Sequence, residues 1–480
     1  MVEVAVAQQE SRAPASRATP GYSSTMRKLL VLLTLGFVFV VAWFIAGRGT
    51  GPAITMEWPT SAIGQSGELV LLIDAPKGRL TTLDVVLTQG ENRIPVFALA
   101  DSGSAAITPA GENRFRFTDS IGKRHHPELV EGPAVIQVTA GQPTLFGLQQ
   151  TTTTLARPVA VRLTPPRVAV LSTHHYINHG GSELVVYRAT PPDVPSGVRV
   201  GDREFRGFPA SGAGITSSDA SLHVAFFALS WDQDVNTPIS VFARDEGGNE
   251  ATATLEHRVF PKTFRRSRIP VDDAFLGKVV PAILQNSPDL KVENPGDLLA
   301  SYLRINRDLR RKNDSSIAAL ALETASRVLW QGPFKQLINS AVEAGFADRR
   351  TYVYKSDSID FQTHLGFDLA STSAAPVLAA NSGTVVHAGY LGIYGNCVIL
   401  DHGMGLQSLY AHLSSIGVQK GDSVQMNQEL GRSGTTGLSG GDHLHFTMLL
   451  GGRAVTPIDW WSAQWVEDRI TRKLREVGAG

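Results

Sequence analysis

The apolar residues of this chain follow different patterns along its length, and the first pattern is an unbroken run near the N-terminus. From Leu29 to Gly47, Thr34 is the only clearly polar residue. About 19 helical residues at ~1.5 Å each can span the ~30 Å of a bilayer core. Buried helices of soluble proteins rarely stay uncharged for so long. The run therefore predicts a transmembrane helix over residues 28–48, after a disordered tail over residues 1–27 that is rich in Ala, Ser, Gln and Pro.

The charges around this run predict its orientation. Arg12, Arg17, Arg27 and Lys28 precede it, whereas only Arg48 follows closely. Basic residues are retained on the cytoplasmic side, so the tail is expected in the cytoplasm and the later domains outside it, in the periplasm if the cell is Gram-negative. A cleaved signal peptide is the alternative. The run is longer than a usual signal core, however, and neither an Ala-x-Ala site nor a lipid-carrying cysteine directly follows it.

Short runs of Val, Leu, Phe and Thr, separated by Gly, Pro, Asn and Ser, dominate the exported part. Examples are ELVLLIDA in residues 51–165 and LHVAFFALSW in residues 166–262. This spacing predicts a β-sandwich-like domain in each stretch. Strand-like runs with frequent glycine return in residues 346–463, which predict an antiparallel β domain, and residues 464–480 predict a C-terminal helix. The expected fold class is therefore mainly β.

Residues 270–345 follow a helical period instead and are interpreted as a helical connector. Four apolar residues fall on one helical stripe: Leu298, Tyr302, Ile305 and Leu309. Asp314 and the two serines after it offer an N-cap for a further helix through IAALALETASRVLW. A basic face is interpreted as a solvated helix surface, with contact to an acidic polymer as the alternative. That face consists of Arg304, Arg307, Arg310, Arg311 and Lys312.

Composition and charge exclude several classes of function. The 480 residues carry 44 Lys plus Arg against 44 Asp plus Glu, so no global basic field favours nucleic acid. Cys397 is the only cysteine, which excludes an intramolecular disulfide and a multi-cysteine zinc site. It lies in an apolar strand and is expected to be a buried small residue rather than a nucleophile. Any metal must therefore be bound by histidine and carboxylate side chains.

Three short motifs carry candidate chemistry: His364-Leu-Gly-Phe-Asp368, Tyr410-Ala-His412-Leu and His443-Leu-His445. Residues two apart on a strand face the same side, so His443 and His445 are expected in one cleft. A polar strand surface is the alternative for this pair. Gly366 and the nearby strand-like runs argue against a helix for the first motif, so His364 is expected on a loop that leads into a strand bearing Asp368.

A histidine and a carboxylate from one segment plus a histidine from another form a ligand set suited to Zn²⁺: His364, Asp368 and His445. Three protein ligands leave a position for water, whose pKa zinc lowers to about 7. A zinc hydrolase also needs groups that move protons and stabilise an oxyanion. His412 and His443 remain for these roles, in an order that the sequence leaves open.

The segments DRRTYVYKSDSIDFQTHLGFDLA, GNCVILDHGMGLQSLYAHLSS and GTTGLSGGDHLHF resemble the M23, or LytM-type, peptidase family over about residues 346–463. The resemblance implies a small antiparallel β peptidase domain with an open groove. It implies that His364, Asp368 and His445 bind zinc and that His412 and His443 form the catalytic pair. It also implies hydrolysis of peptide bonds in peptidoglycan cross-links or, in some members, in glycine-rich bridges.

The resemblance and the exported topology together predict a membrane-anchored zinc endopeptidase that hydrolyses peptide cross-links of bacterial peptidoglycan. The alternative is a non-enzymatic regulator or scaffold of other cell-wall hydrolases, since some family members have lost ligands and act only as activators. The expected partners are peptidoglycan, the cytoplasmic membrane and cell-wall hydrolase or division proteins, and no nucleic acid. The connector could in addition cover the groove until a partner displaces it.

Other polar residues receive less specific interpretations. Tyr394 and Asn396 are candidates for lining a substrate groove. His402, at the end of a strand, is expected to make structural hydrogen bonds. A dense cluster of three histidines predicts a surface turn, with a second metal site as the alternative: His174, His175 and His179.

Overall fold

In a computed structural model, which describes residues 24–46, 50–102, 106–144 and 147–478, the apolar run near the N-terminus forms helix α1 (Ser24–Ala46). Its apolar stretch Ser24–Trp43 buries none of its residues and is long enough to cross a membrane. The helix begins before the predicted position, so residues 24–27 are helical rather than part of the predicted tail. The rest of that tail lies outside the described residues. The chain divides after Val161 into two compact units.

The first unit contains two sheets after α1. Their strands run in the orders β1-β3-β7-β6 and β2-β9-β8-β4-β5. The Phe97 and Phe117 rings, one from each sheet, have centroids 4.6 Å apart, so the apolar faces of the two sheets pack on each other as in a sandwich. The elements are β1 (Ala53–Trp58), β2 (Ala62–Ile63), β3 (Gly67–Asp74), β4 (Thr82–Gln89), β5 (Asn92–Ala98), α2 (Leu99–Ser102), β6 (Ile107–Gly111), β7 (Arg114–Ile121), β8 (Gly132–Thr144) and β9 (Gln149–Val161).

The second unit begins with a further β region. Its sheets have the orders β10-β12-β16-β15 and β14-β13-β17-β18, and β11 pairs in parallel with β19. The strands are β10 (Arg167–Val170), β11 (His175–Asn178), β12 (Ser182–Thr190), β13 (Ser196–Val200), β14 (Arg203–Arg206), β15 (Phe208–Pro209), β16 (Leu222–Ala228), β17 (Ile239–Arg244), β18 (Glu250–Thr254) and β19 (His257–Phe260). Strand β16 is buried along its whole length, which explains its continuous apolar sequence.

A connector follows, with strand β20 (Arg266–Pro270), helix α3 (Asp273–Gln285) and helices α4 (Leu298–Arg304) and α5 (Arg310–Leu320) joined by a π-helical turn. The predicted stripe is correct, because Tyr302, Ile305 and Leu309 are buried. The predicted N-cap is wrong, because Asp314 lies inside α5. The serine hydroxyls after it donate to carbonyls four residues back in the same helix, as serines inside helices often do.

The predicted helix through Trp330 ends instead at Leu320. The reason lies in tertiary contacts of the segment that follows. The Thr324 hydroxyl and the Ala325 N–H both donate to the Asp401 carboxylate, at 2.7 and 2.9 Å. These bonds hold residues 321–340 as an irregular strap along a strand of the next domain, and this packing overrides the local helix propensity.

That next domain is the predicted antiparallel β domain. Its main sheet has the order β21-β24-β32-β28-β27-β26-β30, with β33 also on β32, and two smaller sheets have the orders β20-β22-β23 and β25-β31-β29. The strands are β21 (Ala341–Ala344), β22 (Asp348–Tyr354), β23 (Asp357–His364), β24 (Phe367–Ala370), β25 (Pro376–Leu378), β26 (Gly383–Tyr390), β27 (Asn396–Gly403), β28 (Leu406–Leu413), β29 (Ser415–Ile416), β30 (Ser423–Val424), β31 (Glu429–Arg432), β32 (Leu444–Leu450) and β33 (Arg453–Val455).

The chain ends in short helices that return to the second β region. They are α6 (Pro457–Trp461), α7 (Ala463–Val466) and α8 (Arg472–Gly478), with a π-helical turn before α8. Trp460 packs on Phe226 of β16, and Lys473 Nζ lies 2.8 Å from Glu183 Oε1 of β12, with both side chains buried. One apolar core therefore runs from the second β region through these helices into the sheet of the last domain.

Candidate metal centre

The HxxxD and HxH motifs meet at the edge of the main sheet. His364 was predicted on a loop, but it is the last residue of strand β23. Asp368 and His445 lie on β24 and β32, where they are direct partners in the register of the two strands. His364 Nε2 lies 2.8 Å from Asp368 Oδ1 and 3.0 Å from His445 Nδ1. His445 Nδ1 lies 3.0 Å from the same carboxylate oxygen. In the part of the chain that the structure describes, this is the only group of three potential ligands close enough to share an ion.

Hydrogen bonds on the far side of the His364 and His445 rings, away from the three converging atoms, determine which ring nitrogen carries the proton. His364 Nδ1 lies 3.0 Å from Gly345 O, a carbonyl that can only accept, so Nδ1 carries the proton. The Thr447 hydroxyl donates to Leu365 O, so it must accept from His445 Nε2–H, 3.0 Å away. The inner nitrogens are therefore bare lone pairs when both rings are neutral.

When both rings are neutral, three acceptors converge with no proton between them. Burial lowers the pKa of His445 to about 4, so its ring is neutral at physiological pH. Burial alone would raise the pKa of Asp368, but the charge of His364 and the hydrogen bonds of the surrounding imidazoles, which need a proton on the side facing the carboxylate, hold it well below its usual value. A cation bound there would take the place of such a proton. Two lone pairs and a carboxylate oxygen at hydrogen-bond distance repel one another unless a cation lies among them. The buried donor set, with two imidazoles and one carboxylate, fits Zn²⁺.

The second oxygen of Asp368 is held separately. Arg350 Nη2 donates to Asp368 Oδ2 at 3.0 Å, which leaves Oδ1 directed at the two imidazoles. Gly366 allows the motif to pack closely, because a Cβ there would lie 2.6 Å from His445 Nε2. Arg350 is a site residue that the sequence did not single out, since nothing in DRRTYVY marks the arginine that reaches a ligand eighteen positions later.

Replacing Thr447 by valine is expected to weaken zinc binding by about 10- to 100-fold, as is usual for partners that orient a metal ligand. The change keeps the shape of the side chain but removes the acceptor that fixes His445 Nε2–H. Zinc affinity is measured by competition with a chromophoric chelator. Thr447→Ser, which keeps the hydroxyl, is the matched control, and equal affinities for the two variants would contradict this role.

The two remaining histidines lie beside the three acceptors. The His412 ring has its centroid 4.9 Å from that of His443 and 5.8 Å from that of His445. His443 Nε2 lies 3.5 Å from Asp368 Oδ1. His412 has φ +63°, a left-handed conformation that is uncommon outside glycine and is found in strained functional sites. The structure therefore brings together all five histidine and aspartate residues that the sequence predicted to form one site.

These five side chains line a cavity of about 370 Å³ together with residues from other elements. Tyr394 lines it as predicted, with its ring centroid 5.7 Å from that of His445. Asn396 was predicted to join it, but its side chain donates to Leu413 O and its N–H to Thr436 Oγ1, so it braces a loop instead. The connector supplies apolar wall residues that the sequence missed, namely Pro270, Val271, Phe275 and Tyr302.

The other histidine predictions had mixed outcomes. His402 makes structural hydrogen bonds as expected, to Ser382 O and Ser408 Oγ, both at 2.7 Å. The predicted surface turn is wrong for His175, which is buried on β11. Its ring bridges Glu256 O and Ser172 Oγ, so hydrogen bonds between neighbouring strands explain it. Cys397 is buried as predicted, and burial raises its pKa.

Comparison with known proteins matches the same part of the chain that holds the five site residues. The model of peptidase family M23 matches residues 362–457. DD-carboxypeptidase/endopeptidase Mpg of Neisseria meningitidis is 37% identical over 98 residues, which cover 20% of this chain and 23% of that protein. Peptidoglycan DD-endopeptidase ShyA of Vibrio cholerae is 29% identical over 166 residues, 35% of this chain and 36% of that protein.

Among solved structures, a putative peptidase M23 from Pseudomonas aeruginosa matches 59% of this chain and 94% of its own, with a TM-score of 0.36 and 18% identity. The chain spans only about a quarter of the length of the first curated relatives that it matches. The segment matched by the family model contains all five histidine and aspartate positions. The chain carries a peptidase family M23 domain over residues 362–457.

Proposed function

We propose that this protein is a membrane-anchored zinc endopeptidase that hydrolyses peptide cross-links of bacterial peptidoglycan outside the cytoplasm. The observation that carries the proposal is the convergence of three acceptors, His364 Nε2, Asp368 Oδ1 and His445 Nδ1, beside two further histidines. The substrate is proposed because the matched relatives are a peptidoglycan DD-endopeptidase and a DD-carboxypeptidase/endopeptidase. Helix α1 and the basic residues before it support the anchor and its orientation.

His364, Asp368 and His445 would hold the zinc ion. When bound, zinc supplies Lewis acidity, which polarises a carbonyl oxygen and acidifies water. The protein itself must orient the reacting groups and move protons. The cavity wall from the connector excludes bulk water from one side of the ligands, which strengthens every charge interaction within it.

His443 is the proposed proton acceptor. Its Nδ1 lies 2.9 Å from Gly441 O, a carbonyl that can only accept, so Nδ1 carries the ring proton and Nε2 is left to take another. Burial alone would lower the pKa of His443, but the hydrogen bond and charge of Asp368 raise it above the usual value. A base of this kind can take a proton from the attacking water and give it to the departing amine.

His412 is proposed to orient a reactant by accepting a hydrogen bond. Its Nδ1–H donates to Thr436 O at 2.8 Å, and burial, with the neighbouring His443 and His445, lowers its pKa to about 3. A neutral ring in this tautomer has no Nε2 proton to offer an oxyanion. Its Nε2 can instead accept from the attacking water or from the substrate amide. The two histidines therefore have different proposed roles, whereas the sequence left open which of them takes which role.

The test is hydrolysis of purified sacculi by the full-length, detergent-solubilised protein. We expect release of peptide fragments with new amino termini, determined by mass spectrometry. Dialysis against a chelator should abolish release, and added Zn²⁺ should restore it. If the zinc-loaded protein binds sacculi but produces no new amino termini, the peptidase proposal is wrong and a regulatory role takes its place.

A further inference from the structure

A second cavity, of about 520 Å³, lies beside the metal cavity and is rich in arginine. Four arginines are among its lining residues, namely Arg266, Arg310, Arg349 and Arg350, whereas Asp314 is its only acidic lining residue. Arg310 and Arg350 also line the metal cavity. The two cavities therefore share a wall, and a ligand in one lies next to a ligand in the other.

The positive charge of this cavity is only partly compensated within the protein. Arg350 is paired with Asp348 and Asp368, and Arg310 donates to Asn306. Within the described part of the chain, no carboxylate lies within 4.0 Å of the guanidinium groups of Arg266 and Arg349. Another strand arginine of this unit, Arg199, shows the usual compensation, since it is paired with both Glu204 and Glu250.

The uncompensated pair is also unfavourable in the sheet itself. Arg266 of β20 and Arg349 of β22 are direct partners in the parallel register of these strands. Like charges placed opposite each other destabilise a sheet. An anion bound between them would remove this repulsion, so the arrangement is suited to a ligand that carries negative charge.

The remaining lining residues indicate the kind of anion. Thr351, Gln362 and Thr363 offer polar groups, while Trp231 and Phe361 offer apolar surface, and Phe361 is 69% exposed. Guanidinium groups bind carboxylates through two parallel hydrogen bonds. The mixture of arginine, amide and aromatic groups fits a carboxylate attached to a peptide better than a bare inorganic ion.

We propose that this arginine cavity is a subsite for a free carboxylate of the peptide substrate, on the residues that flank the bond cleaved in the metal cavity. The inference rests on the proposed peptidase function. A carboxylate of a peptide can be presented either free or as its amide, which carries no negative charge. The subsite would favour the free form.

The test compares cleavage of cross-linked muropeptide dimers that carry this carboxylate either free or amidated. For the zinc-loaded wild-type protein we expect a lower KM for the free form. In Arg266→Gln/Arg349→Gln the KM for the free form should rise by about 10- to 100-fold, the range for losing charge-assisted hydrogen bonds. The KM for the amidated form and both kcat values should change little.

Arg304→Gln/Arg311→Gln is the matched control, because it also removes two exposed positive charges, while both arginines lie in neither cavity and pair with Asp308. It should preserve the preference for the free form. A second measurement needs no variant: added salt should raise the wild-type KM for the free form and not for the amidated form, because screening weakens exposed charge pairs.

The outcomes separate the two proposals. If the wild-type protein cleaves both dimers with the same KM at every salt concentration, the subsite is wrong and the peptidase function stands. If it cleaves neither dimer and releases no peptides from sacculi, the peptidase function itself is wrong. If Arg266→Gln/Arg349→Gln and Arg304→Gln/Arg311→Gln lose the preference equally, the effect is a general one of charge, and the assignment to this cavity is overturned.

Discussion

Replacing His443 by glutamine is expected to lower the turnover of the zinc-loaded protein by about 10²- to 10⁴-fold, the usual contribution of a general acid–base group. Zinc content should be unchanged, because His443 is not one of the three converging ligands. Turnover is measured with cross-linked muropeptides, and zinc by elemental analysis of the same preparation. His445→Ala provides the contrast, because it should lose zinc and turnover together.

The pH profile distinguishes a base from a merely structural residue. His443 acts as a base only when neutral. The relevant pKa is therefore that of His443 in the zinc-loaded protein, where a bound ion would offset part of the Asp368 charge that raises it in the metal-free protein. Activity of the wild-type protein should therefore fall as the pH decreases through that pKa, and His443→Gln should lose this acidic limb. His412→Asn should lower turnover but keep the limb, and asparagine tolerates the φ of +63° at this position. An acidic limb that persists in His443→Gln would assign the base elsewhere.

Replacing Lys473 by methionine is expected to destabilise the second unit by about 3–5 kcal/mol, the range for removing one partner of a buried ion pair. The Lys473 and Glu183 side chains are 3% and 0% exposed. Burial already raises the pKa of Glu183, so without Lys473 the glutamate must either bind a proton or hold a buried charge with no cation beside it, and both cost stability. Denaturation in urea, followed by tryptophan fluorescence, measures the change. Five of the seven tryptophans follow residue 161, so the signal reports mainly on this unit.

The double variant Glu183→Gln/Lys473→Met is the control. It removes both charges, and replacing a whole buried pair by groups of similar size is often neutral. It should therefore recover most of the stability lost in Lys473→Met. If the single and double variants are equally destabilised, the loss comes from packing of the lysine stem rather than from the unpaired carboxylate.

The sequence predicted the centre of the site because its spacing is local. A His and an Asp four positions apart and two histidines two positions apart lie on short segments, so strand periodicity alone limits where their side chains point. Prediction of the buried stripe on the connector succeeded for the same reason.

The surroundings of the site could not be predicted, because they depend on contacts between distant segments. Arg350 reaches Asp368 only after β22 and β23 pair. The helix expected through Trp330 stops because Asp401, far along the chain, accepts the hydrogen bonds of Thr324 and Ala325. Local patterns contain no information about such partners, so the residues that form the walls of both cavities could be identified only from the folded structure.

The core that joins the second β region to the C-terminal helices limits how this protein can be rearranged by recombination. A break before the M23 segment would separate Trp460 from Phe226 of β16 and Lys473 from Glu183 of β12. A break after Val161 severs no such contact within the second unit. Gene fusions that exchange domains in proteins of this kind should therefore preserve residues 162–480 as one inherited block and vary what precedes it.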